Sequence, residues 1–231
     1  MKKALSTLAV LSLVWALPVS GQAANTSFFI TSTGAGYGAD LGGLGGADAH
    51  CQDLAYTSGL GDKVWRAYLS AVARDGQPAV NARDRVGSGP WYNYNGVMVA
   101  QDVTALHAED VNINKETALT ERGETVNGRG DTPNQHDILT GSNLDGTVYT
   151  GDGHTACNNW TSSASEGAAR VGHFDRTGGG ENPTSWNSAH NSRGCSQENL
   201  VATGGNGYFY CFAVGSGGGG GQQDAQGTQD E

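Results

Sequence analysis

Apolar positions along this chain come in short runs, most of them alternating as in half-buried strands, with few at the 3.6-residue spacing of a helix. Residues 27–31 (SFFIT) form an apolar, β-prone run and predict a first strand, followed by a glycine-rich loop over 34–46. Over 47–58 the period changes: Ala47, Cys51, Leu54 and Ala55 recur at helical spacing, with Asp48 suited to the first turn and Gly59 to the stop. Trp65, Ala67, Leu69 and Ala71 then alternate with Arg66, Tyr68, Ser70 and Val72, predicting another strand. Asn95-Gly96 stands between two short β-prone runs, the sequence of a tight hairpin. A helical turn is expected over 103–109, and strands over 157–162 (CNNWTS), 169–174 (ARVGHF) and 208–214 (YFYCFAV). Residues 112–153 and 178–206 are polar and glycine-rich and read as long ordered loops, where function tends to concentrate. With strands first and last, the termini are expected to pair in one antiparallel sheet, bringing Cys51 near Cys211.

The first 24 residues change the picture of compartment. Lys2 and Lys3 precede an apolar run over 4–17 and a small-residue end, the layout of a secretory signal. The run is shorter than the ~20 residues that span a bilayer, so no membrane insertion is expected once the signal is cleaved. The expected division is therefore a signal over 1–24, one domain over 25–214 and a flexible Gly/Gln-rich tail over 215–231, in a secreted or periplasmic protein.

Charge excludes one class of partner. With 13 basic residues against 23 acidic ones, the chain lacks the clustered Lys and Arg that nucleic acid or anionic lipid would require. Four cysteines behind an export signal read as two disulfides. Sequence allows three connectivities; the expected placement of helix and terminal strand favours Cys51 with Cys211 and Cys157 with Cys195.

The runs GADAHCQDLAYTSGLGDKVWRAYLS, TACNNWTSS, GCSQENL and YFYCF, in that order and with nested cysteines, resemble the endostatin module of the C-type lectin-like family. The resemblance covers roughly residues 27–214 and marks the chain as an exported bacterial relative. It implies an α+β, C-type lectin-like fold: an antiparallel sheet, one or two helices, long ordered loops and two nested disulfides. It also implies a non-catalytic recognition module that binds carbohydrate, or a surface or matrix macromolecule, through its distal loops. A structural or adhesive protein–protein role is the alternative. The chain departs from the sugar-binding members: Glu181-Asn182-Pro183 has another order from their calcium loop, and Trp186-Asn187-Ser188 lacks a final Asp. No histidine precedes His50 in the mature chain to match the N-terminal zinc ligands of endostatin, and its basic heparin-binding surface is missing.

The candidate ligand-binding residues are Trp186, Asn187, Glu181, Asn182 and Trp91, since tryptophan rings beside loops can stack on sugars. For calcium the candidate is the loop GSNLDGTVYTGD, with Asn143, Asp145, the Val148 carbonyl and Asp152 around a turn at Gly146, and Asp131, Asp137, Glu181 and Glu198 able to add oxygens. Arg129-Gly130-Asp131 is an adhesion tripeptide that also fits a turn with Gly130 at positive φ. His136, His154, His173 and His190 lie in the distal half, with His173 and Asp175 on one strand face. Zinc needs at least three converging ligands and no local spacing supplies them, so satisfied loop histidines are expected. No nucleophile elbow, zinc-protease helix or phosphate loop is present.

Overall fold

The computed structural model describes residues 25–151 and 156–216; the signal, Asp152, His154 and all but the first two residues of the tail lie outside them. Alternation builds the sheet. The strands β1 (Phe28–Ile30) and β8 (Gly205–Ser216) pair antiparallel, with Phe29 opposite Cys211, so the termini meet as the sequence predicts. The strand β2 (Lys63–Ala67) pairs antiparallel with residues 211–216 of β8, and β5 (Asp137–Leu139) runs parallel to its first half. Beyond β5 come β6 (Arg170–His173) and β7 (His190–Asn191), each antiparallel to its neighbour, giving the order β1-β8-β5-β6-β7. The short strands β3 (Trp91–Tyr92) and β4 (Met98–Ala100) form a separate hairpin around Asn95-Gly96.

Both faces of the sheet are covered, and the two-residue period sorts side chains between them. Phe29, Trp65, Phe209 and Cys211 pack with Ala47, Cys51 and Ala55 of helix α1 (Gly43–Thr57). Phe28, Ile30, Tyr210 and Phe212 point the other way, against Tyr68, Trp91 and Trp186. Burial of a Phe or Leu side chain contributes about 1.5–3 kcal/mol, so these rows supply the stability that a glycine-rich chain needs. Disulfides close both ends: Cys51–Cys211 ties α1 to β8, and Cys157–Cys195 staples the distal loops. The fold is mixed α+β with antiparallel-rich sheets. No helix among the described residues is long and apolar enough to cross a membrane.

Four expectations are corrected. Helix α1 begins at Gly43, earlier than the apolar spacing indicates: Gly42 and Gly43, both at φ 73°, lead the chain in, and the Gly46 amide closes the first turn on the Gly42 carbonyl (3.2 Å). Asp48 leaves the first-turn role to become a buried hub, accepting from Arg66 (2.7 Å), Arg85 (2.6 Å) and the Ala67 amide (2.9 Å). The residues expected as a strand at 157–162 form a tight turn, α3 (Cys157–Trp160), in which all four residues have positive φ. Asn tolerates this region better than most residues, and the Asn159 amide grips both backbone groups of Val72 at 2.9 Å. The loop expected over 178–206 contains β7 and a capped helix, α4 (Gln197–Thr203), started by Ser196 accepting from the Asn199 amide. The helical turn α2 (Val103–Leu106), capped by Asp102, lies where expected.

Candidate metal centre

Strand register assembles a site that no local spacing announces. Antiparallel pairing places Asp137 of β5 opposite His173 of β6, and Val171 opposite His190 of β7. His173 and Val171 are two residues apart, so Asp137, His173 and His190 fall on one face of three adjacent strands. His136 precedes β5, outside the alternation, and its ring stacks on His173 with centroids 4.3 Å apart. Three imidazole Nε2 atoms thereby surround one carboxylate oxygen: Asp137 Oδ1 lies 3.2 Å from His136, 3.3 Å from His173 and 3.5 Å from His190. Asp137 is 2% exposed, His173 is fully buried and His136 nearly so, whereas His190 is partly open.

The outer hydrogen bonds fix the tautomers. His173 Nδ1–H donates to the Pro183 carbonyl (2.8 Å) and His190 Nδ1–H to that of Asn191 (3.1 Å). A carbonyl can only accept, so the Nδ1 of each ring carries the proton and a neutral ring presents its Nε2 lone pair inward. His136 Nδ1–H donates to Asp175 Oδ1 (3.1 Å), a carboxylate–histidine pair; Asp175 Oδ2 also accepts from the Arg129 amide at 2.6 Å. Lone pairs and a carboxylate thus face one another in a nearly dry space. Both Asp137 oxygens and His173 Nε2 are buried without a hydrogen-bond partner, a costly arrangement unless a cation lies between them.

The electrostatics follow this crowding. Burial pushes the carboxyls of Asp137 and Asp175 up, but His136 and the Arg129 amide, both donating to Asp175, outweigh it there, and with no ion bound protonated imidazoles donating to Asp137 do the same, so both lie below the usual range. The Asp137 carboxylate in turn raises the His190 imidazole above its ordinary value.

The donor set and its dimensions suit a borderline divalent ion. Ligands ~2.0–2.2 Å from a tetrahedral zinc lie about 3.3–3.5 Å from one another; the three Nε2 to Oδ1 separations, three of the six edges, have that length, while His190 stands outside the set whose ligand atoms all lie within 4.8 Å of one another. The ligand atoms of His136, Asp137 and His173 lie within 4.8 Å of one another, and His190 closes on Asp137 from β7. Imidazole-rich sets favour zinc and its neighbours over calcium, which takes oxygen. The backbone over the site leaves no room for side chains: a Cβ on Gly178 would collide with the His173 ring, and one on Gly204 would come within 3.4 Å of His136 Nε2.

The residues expected from sequence are placed otherwise. Trp91 and Trp186, 1% and 3% exposed, are core, so their faces are not offered to a ligand. Asn187 is also buried, donating to the Tyr68 hydroxyl and to the Asn143 and Leu144 carbonyls. Glu181 is exposed and pairs with Arg170 (2.8 Å), and the Asn182 amide donates to the Ser188 carbonyl. In the expected calcium loop, Asn143 donates to Thr147 and the Val148 carbonyl, while Asp145 Oδ1 accepts twice from Thr147 with Arg83 nearby. Those oxygens serve a turn around Gly146, and Asp152 falls outside the described residues. Asp131 accepts from Lys115 and the Gly128 amide in a turn where Gly130 has φ of 96°, as its sequence predicts. Of the four distal histidines, three converge and His154 is not described. Asp137, considered for calcium, is their shared partner. The available signal was His136-Asp137, His173 in a β-prone run and His190 in what read as a loop; its meaning needed the register. No protein-family model matches this chain, and no curated protein matches it.

Proposed function

We propose that this chain is an exported metal-binding protein that holds one divalent transition ion, zinc foremost, on His136, Asp137, His173 and His190. One observation carries the reading: three imidazoles with Nδ1 engaged outside turn Nε2 onto a buried carboxylate whose own oxygens have no hydrogen-bond partner. Two disulfides support an oxidising compartment, where thiols are poor zinc ligands and imidazole with carboxylate serves instead. Equilibrium dialysis of the chelator-stripped full chain against zinc and calcium, with metal counted per chain, tests this. One zinc retained per chain, and no calcium held at that site, is the expected result; a chain that retains no zinc at a tenfold excess overturns the reading.

The lectin-like architecture belongs to the same proposal. Its supports are the paired terminal strands, the helix stapled to β8 and the long distal loops. A second reading, recognition of carbohydrate by those loops, is favoured by one convergence: Asn143, Asp145, Glu181 and Asn182 line a single surface hollow of about 400 Å³ with Arg170 and Tyr149. A glycan array free of hits at micromolar protein counts against it.

A further inference from the structure

The metal site lies at the floor of a cleft of about 440 Å³ whose lining differs from the rest of the molecule. His136, His173 and His190 line it, together with Arg129, Asn134, Gly179, Gly180 and Thr203; Asp137 does not. The carboxylate therefore meets an ion from beneath and the imidazoles surround it, leaving the side opposite Asp137 facing the cleft. An ion with three or four protein donors and a solvent-facing side keeps a position for an exogenous ligand.

Charge selects that ligand. The chain has 23 acidic residues, yet none lines this cleft among the described residues. Asp175, the nearest carboxylate of the site, is turned away: its oxygens accept from His136 Nδ1 and from the Arg129 and Thr177 amides. A divalent ion compensated by one carboxylate leaves the floor positive, and the Arg129 guanidinium adds a second charge at the wall. That side chain is exposed and makes no hydrogen bond or ion pair among the described residues, while its backbone amide is held by Asp175 at 2.6 Å. Asp131, its neighbour in the adhesion-like tripeptide, is taken by Lys115. A guanidinium fixed at its root and unpaired at its tip suits an oxyanion.

We infer that the cleft-facing position of the metal takes a small oxyanion, a carboxylate or a phosphate, bound jointly by the ion and the Arg129 guanidinium. This rests on the metal reading and deepens it. Arg129 is a positioning and specificity residue here, not a metal ligand.

Cobalt(II) separates the two levels, because its visible d–d spectrum reports both binding and ligand exchange. The stripped full chain is titrated with cobalt, then with acetate and, separately, with inorganic phosphate, alongside the Arg129→Ala variant. We expect a one-per-chain cobalt spectrum in both proteins and a saturable change with at least one anion. In Arg129→Ala the anion should bind about ten- to a hundredfold more weakly, the loss of one charge-assisted hydrogen bond, with cobalt affinity unchanged. Which of acetate and phosphate binds more tightly identifies the anion class. Failure to bind cobalt overturns the metal reading itself. A cobalt spectrum indifferent to both anions, or anion affinity unaltered in Arg129→Ala, overturns this inference and leaves the metal site standing.

Discussion

Replacing one carboxylate by its amide at two positions distinguishes the metal centre from the calcium loop. Asp137→Asn keeps the shape of the residue beneath the three imidazoles and removes the negative donor; Asp145→Asn does the same in the Gly146 turn. An ion that binds only the native chain stabilises it by about 2.7 kcal/mol when its free concentration is a hundred times Kd. A domain of this length gains roughly 2–4 °C in Tm per kcal/mol, so zinc over chelator should raise the melt of the parent by about 5–11 °C. The same rise is expected for Asp145→Asn, whose carboxylate accepts from Thr147 and pairs with Arg83 at the surface, away from the three imidazoles. If Asp137→Asn weakens the site a hundredfold, the ion then stands near its Kd, worth about 0.4 kcal/mol, and the rise shrinks to about 1–2 °C. The assay is a thermal melt of the three oxidised proteins followed by circular dichroism, in zinc, in calcium and in chelator. A full zinc rise in Asp137→Asn would refute the coordination argued from the strand register. A calcium rise abolished by Asp145→Asn would return the site to the loop.

Three further outcomes follow from the geometry. Asp175→Asn should weaken zinc binding about ten- to a hundredfold without changing its stoichiometry, because Asp175 orients His136 and does not touch the ion; competition with a chromophoric chelator measures this, and unchanged affinity counts against the outer hydrogen bond. Removing Cys51–Cys211, with a sequence separation of 160, should cost about 5 kcal/mol, and removing Cys157–Cys195, with 38, about 4; denaturant unfolding of the two double-alanine variants checks the order. Burial raises the phenols of Tyr68 and Tyr210, so their contribution is intact below the unfolded pKa of about 10 and falls as pH climbs above it toward the folded values. Phenolate absorbance from these two should therefore appear only with loss of native dichroism in an alkaline titration; ionisation of all eight tyrosines in a folded chain would contradict their burial.

Much of the framework was legible because it rests on local rules. Phe28 to Ile30, the run around Tyr210 and the Asn95-Gly96 hairpin carry their own periodicity or turn chemistry. Other elements were hidden where local and tertiary demands diverge. Residues 157–162 read as a strand only through Cys157, Trp160 and Thr161; a disulfide, a tryptophan anchored to the Ser70 carbonyl and the Asn159 clamp on Val72 hold 157–160 in a left-handed turn that Asn158 and Asn159 tolerate. Trp91 and Trp186 stand beside loops in sequence, yet those loops fold back over the sheet and bury them against Phe212 and Tyr210.

By itself the sequence determined the acidic balance, the strand-forming runs, the helix around Cys51 and the placement of terminal strands that favours one pairing of the cysteines, because each depends on neighbouring residues or on composition. Only the tertiary structure brought the proposed metal ligands together. The two-residue period says which face of a strand His173 and His190 occupy, but not which strand lies beside them. The register of β5 on β6 and of β6 on β7, set by core packing and hydrogen bonding across the whole sheet, brings Asp137 to the histidines and turns dispersed residues into one donor set.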